Sequence, residues 1–113
     1  GKLFNFCCYA VGVVAKKSNK ELKSLGKLGE DIGLLFQFAD DFIDIKGSKK
    51  LAGKSIKKDE KKGKSTLIAL IGYEKAYSYA SKLKKNILSK LSKRGKKADN
   101  LINTVEFILE RNF

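Results

Sequence analysis

The stretch Leu28-Gly29-Glu30-Asp31-Ile32-Gly33-Leu34-Leu35-Phe36-Gln37-Phe38-Ala39-Asp40-Asp41-Phe42-Ile43-Asp44-Ile45 holds not one Lys or Arg, in a chain whose formal charge is +13. Its apolar residues recur at helical spacing: Leu28, Ile32, Leu35, Ala39, Phe42 and Ile43 form one stripe, which Leu25 extends backwards. The opposite face carries Gly26, Gly29, Glu30, Gly33, Gln37, Asp40, Asp41 and Asp44. At about 100° per residue, Gln37, Asp40, Asp41 and Asp44 fall within an arc of roughly 100°. Like charges at i, i+4 destabilise a helix, and burying them costs far more unless a cation sits between them. Oxygen-only donors, with neither His nor Cys nearby, suit Mg²⁺ or Mn²⁺ better than Zn²⁺. Each glycine costs about 1 kcal/mol relative to Ala in a helix interior. The glycine face is therefore expected to form the wall of a cleft, where a neighbouring helix or a substrate approaches the backbone.

Outward from this stretch the whole chain reads as all-α. It contains no Pro, and no segment alternates at period two. A first helix is predicted over 2–17, with apolar residues on every face (Leu3, Phe4, Phe6, Tyr9, Val11, Val13, Val14), which marks it as interior. Ser18 and Glu21 give the S-x-x-E capping box that starts the second helix, predicted over 19–46 with Gly47 as its stop. Residues 47–64 are rich in Gly and Lys and lack periodicity, as in a long functional or disordered loop. Helical pattern resumes over 66–71, breaks at Gly72 and continues over 73–91. A turn containing Gly95 comes next, and a last helix over 98–111 is expected to bury Leu101, Ile102, Val105, Ile108 and Leu109.

Composition bounds the class. With 113 residues, 33% charged and 42% hydrophobic, the chain falls among soluble globular chains rather than disordered ones. The lack of any Met implies that Gly1 is an internal position of a longer gene product. No segment reaches about 18 consecutive apolar residues, so a transmembrane span is not expected. Cys7 and Cys8 are adjacent and diverge by about 100° on a helix, so they read as two buried, reduced thiols of a cytoplasmic protein. The basic excess is almost all Lys, Arg94 and Arg111 being the two arginines, a mix that argues against specific nucleic-acid readout.

Acids on a helix joined directly to a lysine-rich segment form an arrangement suited to a diphosphate. Metal bridges its oxygens while ammonium groups neutralise the remaining charge. Gly63-Lys64-Ser65-Thr66 lacks the first glycine of a P-loop, since Lys58 stands at that place, but it can offer hydroxyls, amides and an ammonium to an anion. A simple helix cap at Ser65 or Thr66 explains it equally well. Lys54 comes after Leu51-Ala52-Gly53 and is singled out by its closeness to the acids.

The string Gly33-Leu34-Leu35-Phe36-Gln37-Phe38-Ala39-Asp40-Asp41-Phe42-Ile43-Asp44, then Leu51-Ala52-Gly53-Lys54, Asp59 and Gly63-Lys64-Ser65-Thr66, resembles the trans-polyprenyl diphosphate synthase family, nearest its bacterial farnesyl diphosphate synthase type. Gly1-Lys2-Leu3-Phe4 looks like the residues that succeed Lys-Thr in that family's K-T-G motif, and Glu110-Arg111-Asn112-Phe113 looks like its basic C-terminus. The resemblance implies that residues 1–113 are the C-terminal part of an isoprenoid-synthase helical bundle, in an enzyme that is usually a homodimer. It implies a Mg²⁺-dependent prenyltransferase of isoprenoid biosynthesis, joining isopentenyl diphosphate to an allylic diphosphate. Carried onto this chain, Asp40 is the direct metal ligand, with Asp41 and Asp44 ligating metal or ordering its water, and Gln37 faces the reacting substrate. Lys54 and Lys64 hold the allylic diphosphate, and Arg111 reaches toward the isopentenyl diphosphate.

The family's first aspartate-rich motif, the arginines after it and the Lys-Thr before Gly1 are not among these residues. Residues 1–113 alone are therefore expected to be inactive, and farnesyl, geranyl and geranylgeranyl products are not separable here. Two other readings stand beside this one. A terpene cyclase or head-to-head synthase of the same superfamily would also use aspartate-rich helices, though the Lys54 and Gly63-Lys64 pattern disfavours it. A non-catalytic helical subunit, or a basic module resting on anionic membranes or nucleic acid, rests on the Lys clustering alone.

Overall fold

The computed structural model describes residues 1–50 and 67–110. Every regular element among them is helical, as the sequence predicts. In chain order these are α1 (Lys2–Val14), α2 (Asn19–Lys50), α3 (Leu67–Ile71), α4 (Tyr73–Ser92), a 3₁₀ turn (Gly95–Ala98) and α5 (Asp99–Glu110). No helix among the described residues is long and apolar enough to cross a membrane.

The helix ends reflect local chemistry, and two of them differ from the sequence reading. The first helix stops at Val14 rather than at residue 17. Lys16 takes a left-handed φ of 56°, and two reversed hydrogen bonds close the end: Lys16 N–H donates to the Val13 carbonyl and Lys17 N–H to the Gly12 carbonyl, each at 3.0 Å. That pair is the Schellman stop, formed here without a glycine. One residue on, Ser18 Oγ accepts from Glu21 N–H at 3.3 Å, so the serine half of the expected capping box opens α2. The second helix does not stop at Gly47 but runs to Lys50. A glycine ends a helix by turning left-handed, and the described glycines that do so are Gly72 (φ 88°) and Gly95 (φ 77°). These two break the chain between α3 and α4 and after α4, where the sequence predicts it.

The core is built around α2. Its predicted stripe is buried at Leu28, Ile32, Leu35, Ala39 and Phe42, with Phe38 beside them, against Ala76, Ala80, Ile87 and Leu91 of α4 and Val105, Ile108 and Leu109 of α5. Leu25 and Ile43 are half-buried at the margins. Leu101 is exposed and Ile102 only half-buried, in contrast to their expected burial. Lys84 Nζ meets Glu110 Oε1 at 3.3 Å and ties α4 to α5.

The largest departure concerns α1. It is not interior: Leu3, Phe6, Val11 and Val14 are 70%, 67%, 67% and 84% exposed. Among the described elements α1 packs chiefly on α2, and one neighbour covers only one stripe of a helix. Cys7 is likewise exposed and Cys8 half-buried; both are free thiols, as adjacent positions on a helix dictate.

Candidate functional site

Helices α1 and α2 run antiparallel at very close approach, and the α2 glycines make this possible. A Cβ at Gly29 would meet the Phe4 carbonyl, 2.7 Å from its carbon, and one at Gly33 would lie 2.9 Å from Gly1 Cα. Gly26 faces the Asn5 side chain, and Gly12 does the same from α1, taking Leu22 and Leu25 against its backbone. Asn5 Nδ2 adds a hydrogen bond to Glu30 Oε1 at 2.9 Å. Of the two occupants the glycine face allowed, a helix and not a substrate lies against it, and the expected cleft wall is filled over that length.

The face continues past the first residue of α1 as Gln37, Asp40, Asp41 and Asp44, all still helical. Asp41 is 8% exposed and accepts from Gln37 Nε2 at 3.4 Å through Oδ1. Asp40 is half-buried; Gln37 and Asp44 are exposed. The opposite side of the same turns is locked by rings. Phe42 packs on Tyr73 and Tyr77 of α4 with centroids 5.1 and 5.4 Å apart, and Phe38 on Tyr79 at 5.5 Å. Each such pair adds about 0.5–1.5 kcal/mol beyond its buried area, so the rotation of α2 about its axis is fixed where the acids stand. Sequence reading did not single out these tyrosines. Tyr73 and Tyr77, at i, i+4 opposite an aromatic pair at i, i+4, carried the signal.

Among the described residues no group of three or more His, Cys, Asp or Glu converges as a ready-made metal cage. The donor set suits Mg²⁺ all the same, because that ion is typically held by one or two carboxylates together with water and substrate phosphates. Asp40, Asp41 and Asp44 would supply the carboxylates from one helical face. Lys54, Lys64 and Arg111, with Asp59, Ser65 and Thr66, lie outside the described residues.

A second charged group sits on the other side of α2. Asp31, 8% exposed, holds Lys27 Nζ at 3.1 Å through Oδ1 and Lys90 Nζ of α4 at 3.8 Å through Oδ2. The hydrogen bond that Lys27 donates to Asp31, and then the carboxylate's charge, raise the Lys27 pKa above the ordinary lysine value. This cluster links α2 to α4 on the flank away from the glycine face.

Comparison with known proteins adds an independent line. The family model described as polyprenyl synthetase matches residues 1–105. The farnesyl diphosphate synthase of Micrococcus luteus is 28% identical over 112 residues, 99% of this chain and 38% of that protein. The chloroplastic geranylfarnesyl diphosphate synthase of Leucosceptrum canum is 38% identical over 104 residues, 91% of this chain and 29% of that protein. For the farnesyl diphosphate synthase of Escherichia coli the figures are 34% over 99 residues, 85% and 33%. The chain thus spans under two fifths of the length of these relatives. No solved structure gave a significant match. With the match running over nearly every described element, the chain belongs to the polyprenyl synthetase family.

Proposed function

We propose that residues 1–113 form the C-terminal part of a polyprenyl synthase domain, in a short-chain trans-prenyltransferase that condenses isopentenyl diphosphate with an allylic diphosphate. The observation that carries this reading is the acid end of α2. Gln37, Asp40, Asp41 and Asp44 share one face beyond α1, within the residues that the family match covers. The names of the similar proteins, farnesyl and geranylfarnesyl diphosphate synthases, support an isoprenyl diphosphate substrate.

On this reading Asp40, Asp41 and Asp44 would hold Mg²⁺ (Mn²⁺ being the alternative), Asp40 directly and the other two directly or through its water, and the ion when bound would neutralise charge on the diphosphate leaving group. Asp41 is kept in place by Gln37, whose amide donates to it. Gln37, exposed at the start of the acid face, borders the reacting substrate. Lys54 and Lys64 neutralise diphosphate oxygens left uncovered, and Arg111 reaches the isopentenyl diphosphate. The facing wall of the cleft, with its own carboxylates, comes from sequence outside residues 1–113, so these residues alone are inactive. The working enzyme is a cytoplasmic homodimer.

In the complete enzyme, Asp40→Ala should slow condensation about a thousandfold or more, since the developing charge on the leaving group loses its counter-charge. Steady-state assay with isopentenyl and allylic diphosphates, beside circular dichroism showing unchanged helix content, tests the reading. Near-normal turnover by a folded Asp40→Ala variant excludes it.

A further inference from the structure

A cavity of about 260 Å³ opens between the N-terminal half of α2 and the C-terminal end of α4, lined by Ser24, Leu28, Lys90, Lys93 and Arg94. Its lining carries three cations, one hydroxyl and the apolar side chain of Leu28. It is remote from the acid face: Ser24 and Leu28 precede Asp40 by roughly 18–24 Å along the helix axis and sit roughly 120–160° around it.

The simplest account of basic residues here is complementing the end of α4. Magnitudes do not favour it. The end of a helix carries about half a negative charge, and part of it is already used within the helix. Ser92 Oγ donates to the Ser89 carbonyl at 2.8 Å and Arg94 N–H to the Leu91 carbonyl at 2.9 Å. Asp31 balances one of Lys27 and Lys90, both of its oxygens being engaged. Among the described residues Lys93 and Arg94 have no acidic partner, and Lys90, the third cation of the lining, shares Asp31 with Lys27. A concave site with this excess charge, a hydroxyl and a fork-shaped guanidinium is matched to a small multivalent oxyanion.

We propose that this cavity is an anion site for free phosphate or diphosphate, separate from the acid face and independent of divalent metal. Lys93 and Arg94 bind the oxygens directly, Ser24 donates its hydroxyl, and Asp31 positions Lys90 at the rim. The assignment does not depend on the proposed prenyl transfer; excess chelator together with a Lys54→Ala/Lys64→Ala/Arg111→Ala background separates the two.

The test is isothermal titration calorimetry of the protein with sodium diphosphate, and in a second arm with inorganic phosphate, at low salt in excess EDTA. A metal-dependent complex at the acids is silent under these conditions. The expected result is a saturable site, tighter for diphosphate than for phosphate, that survives Lys54→Ala/Lys64→Ala/Arg111→Ala, which removes the metal-independent diphosphate contacts proposed at the substrate site. Lys93→Ala/Arg94→Ala should weaken it about tenfold or more with helix content unchanged, while Asp40→Ala should leave it unaltered. The proposal is overturned by three results: no saturable binding, a double variant that binds like the wild type, or equal weakening by the remote surface pair Lys82→Ala/Lys85→Ala. A single-stranded oligonucleotide that binds more tightly, and is weakened alike by both double variants, would show a diffuse basic field instead and would also overturn it.

Discussion

Gly29 is the position least able to accept a side chain, because what it would meet is the Phe4 backbone and not a movable group. Gly29→Ala should destabilise by about 1–3 kcal/mol, as overpacking does, seen as a lower midpoint in a thermal melt. Gly26→Ala is the control: its Cβ would lie 3.2 Å from Asn5 Nδ2, a side chain that can turn aside, so its midpoint should move much less. The two thiols offer another residue-scale contrast. Burial, and secondarily the neighbouring Cys7, raise the Cys8 pKa above the ordinary thiol value, so at a given pH a smaller fraction is thiolate. Iodoacetamide near pH 8 should label exposed Cys7 first, with the gap closing as pH rises; mass spectrometry of the peptide resolves the order, and equal rates would contradict it. At this scale the acid face was legible because Gln37, Asp40, Asp41 and Asp44 are related by local helical spacing alone. Asp31 was half legible: its i, i+4 partner Lys27 can be read off the chain, whereas Lys90 reaches it only through packing of α4 on α2.

Among elements, the same residue type acts in opposite ways at Gly47 and Gly72. Gly47 sits inside α2 with open space where a Cβ would go, whereas Gly72 holds a φ of 88°. Gly47→Ala should stabilise by about 0.5–1 kcal/mol and Gly72→Ala should destabilise by about 1–2 kcal/mol, giving thermal midpoints that move in opposite directions. A shift of the same sign for both would refute the helical course of α2 through Gly47. Sequence cannot tell these glycines apart, since the difference lies in backbone angle and not in composition. Nor does it reveal that Lys16 would make the left-handed stop of α1, a conformation unusual for a residue with a Cβ. The order of helices and the stripe of α2 were legible, because apolar periodicity survives wherever one face of a helix meets a core. The outward face of α1 was misread on the same logic: apolar residues all round imply neighbours all round, and the described helices supply only one.

The whole molecule is lopsided. One side displays Leu3, Phe6, Val13 and Val14 to solvent, while a formal charge of +13 is spread over the chain. In solution, residues 1–113 should brighten a hydrophobic dye and sediment as more than a monomer, and Phe6→Glu should reduce both signals. A monomer with no dye response would mean that those side chains find cover of their own. Mutual repulsion among the lysines is then what keeps such particles apart, and it operates over about 10 Å at 0.1 M salt and about 3 Å at 1 M. Brine should therefore act as a coagulant on this polypeptide, so dilute buffer is the condition that keeps it in colloidal suspension.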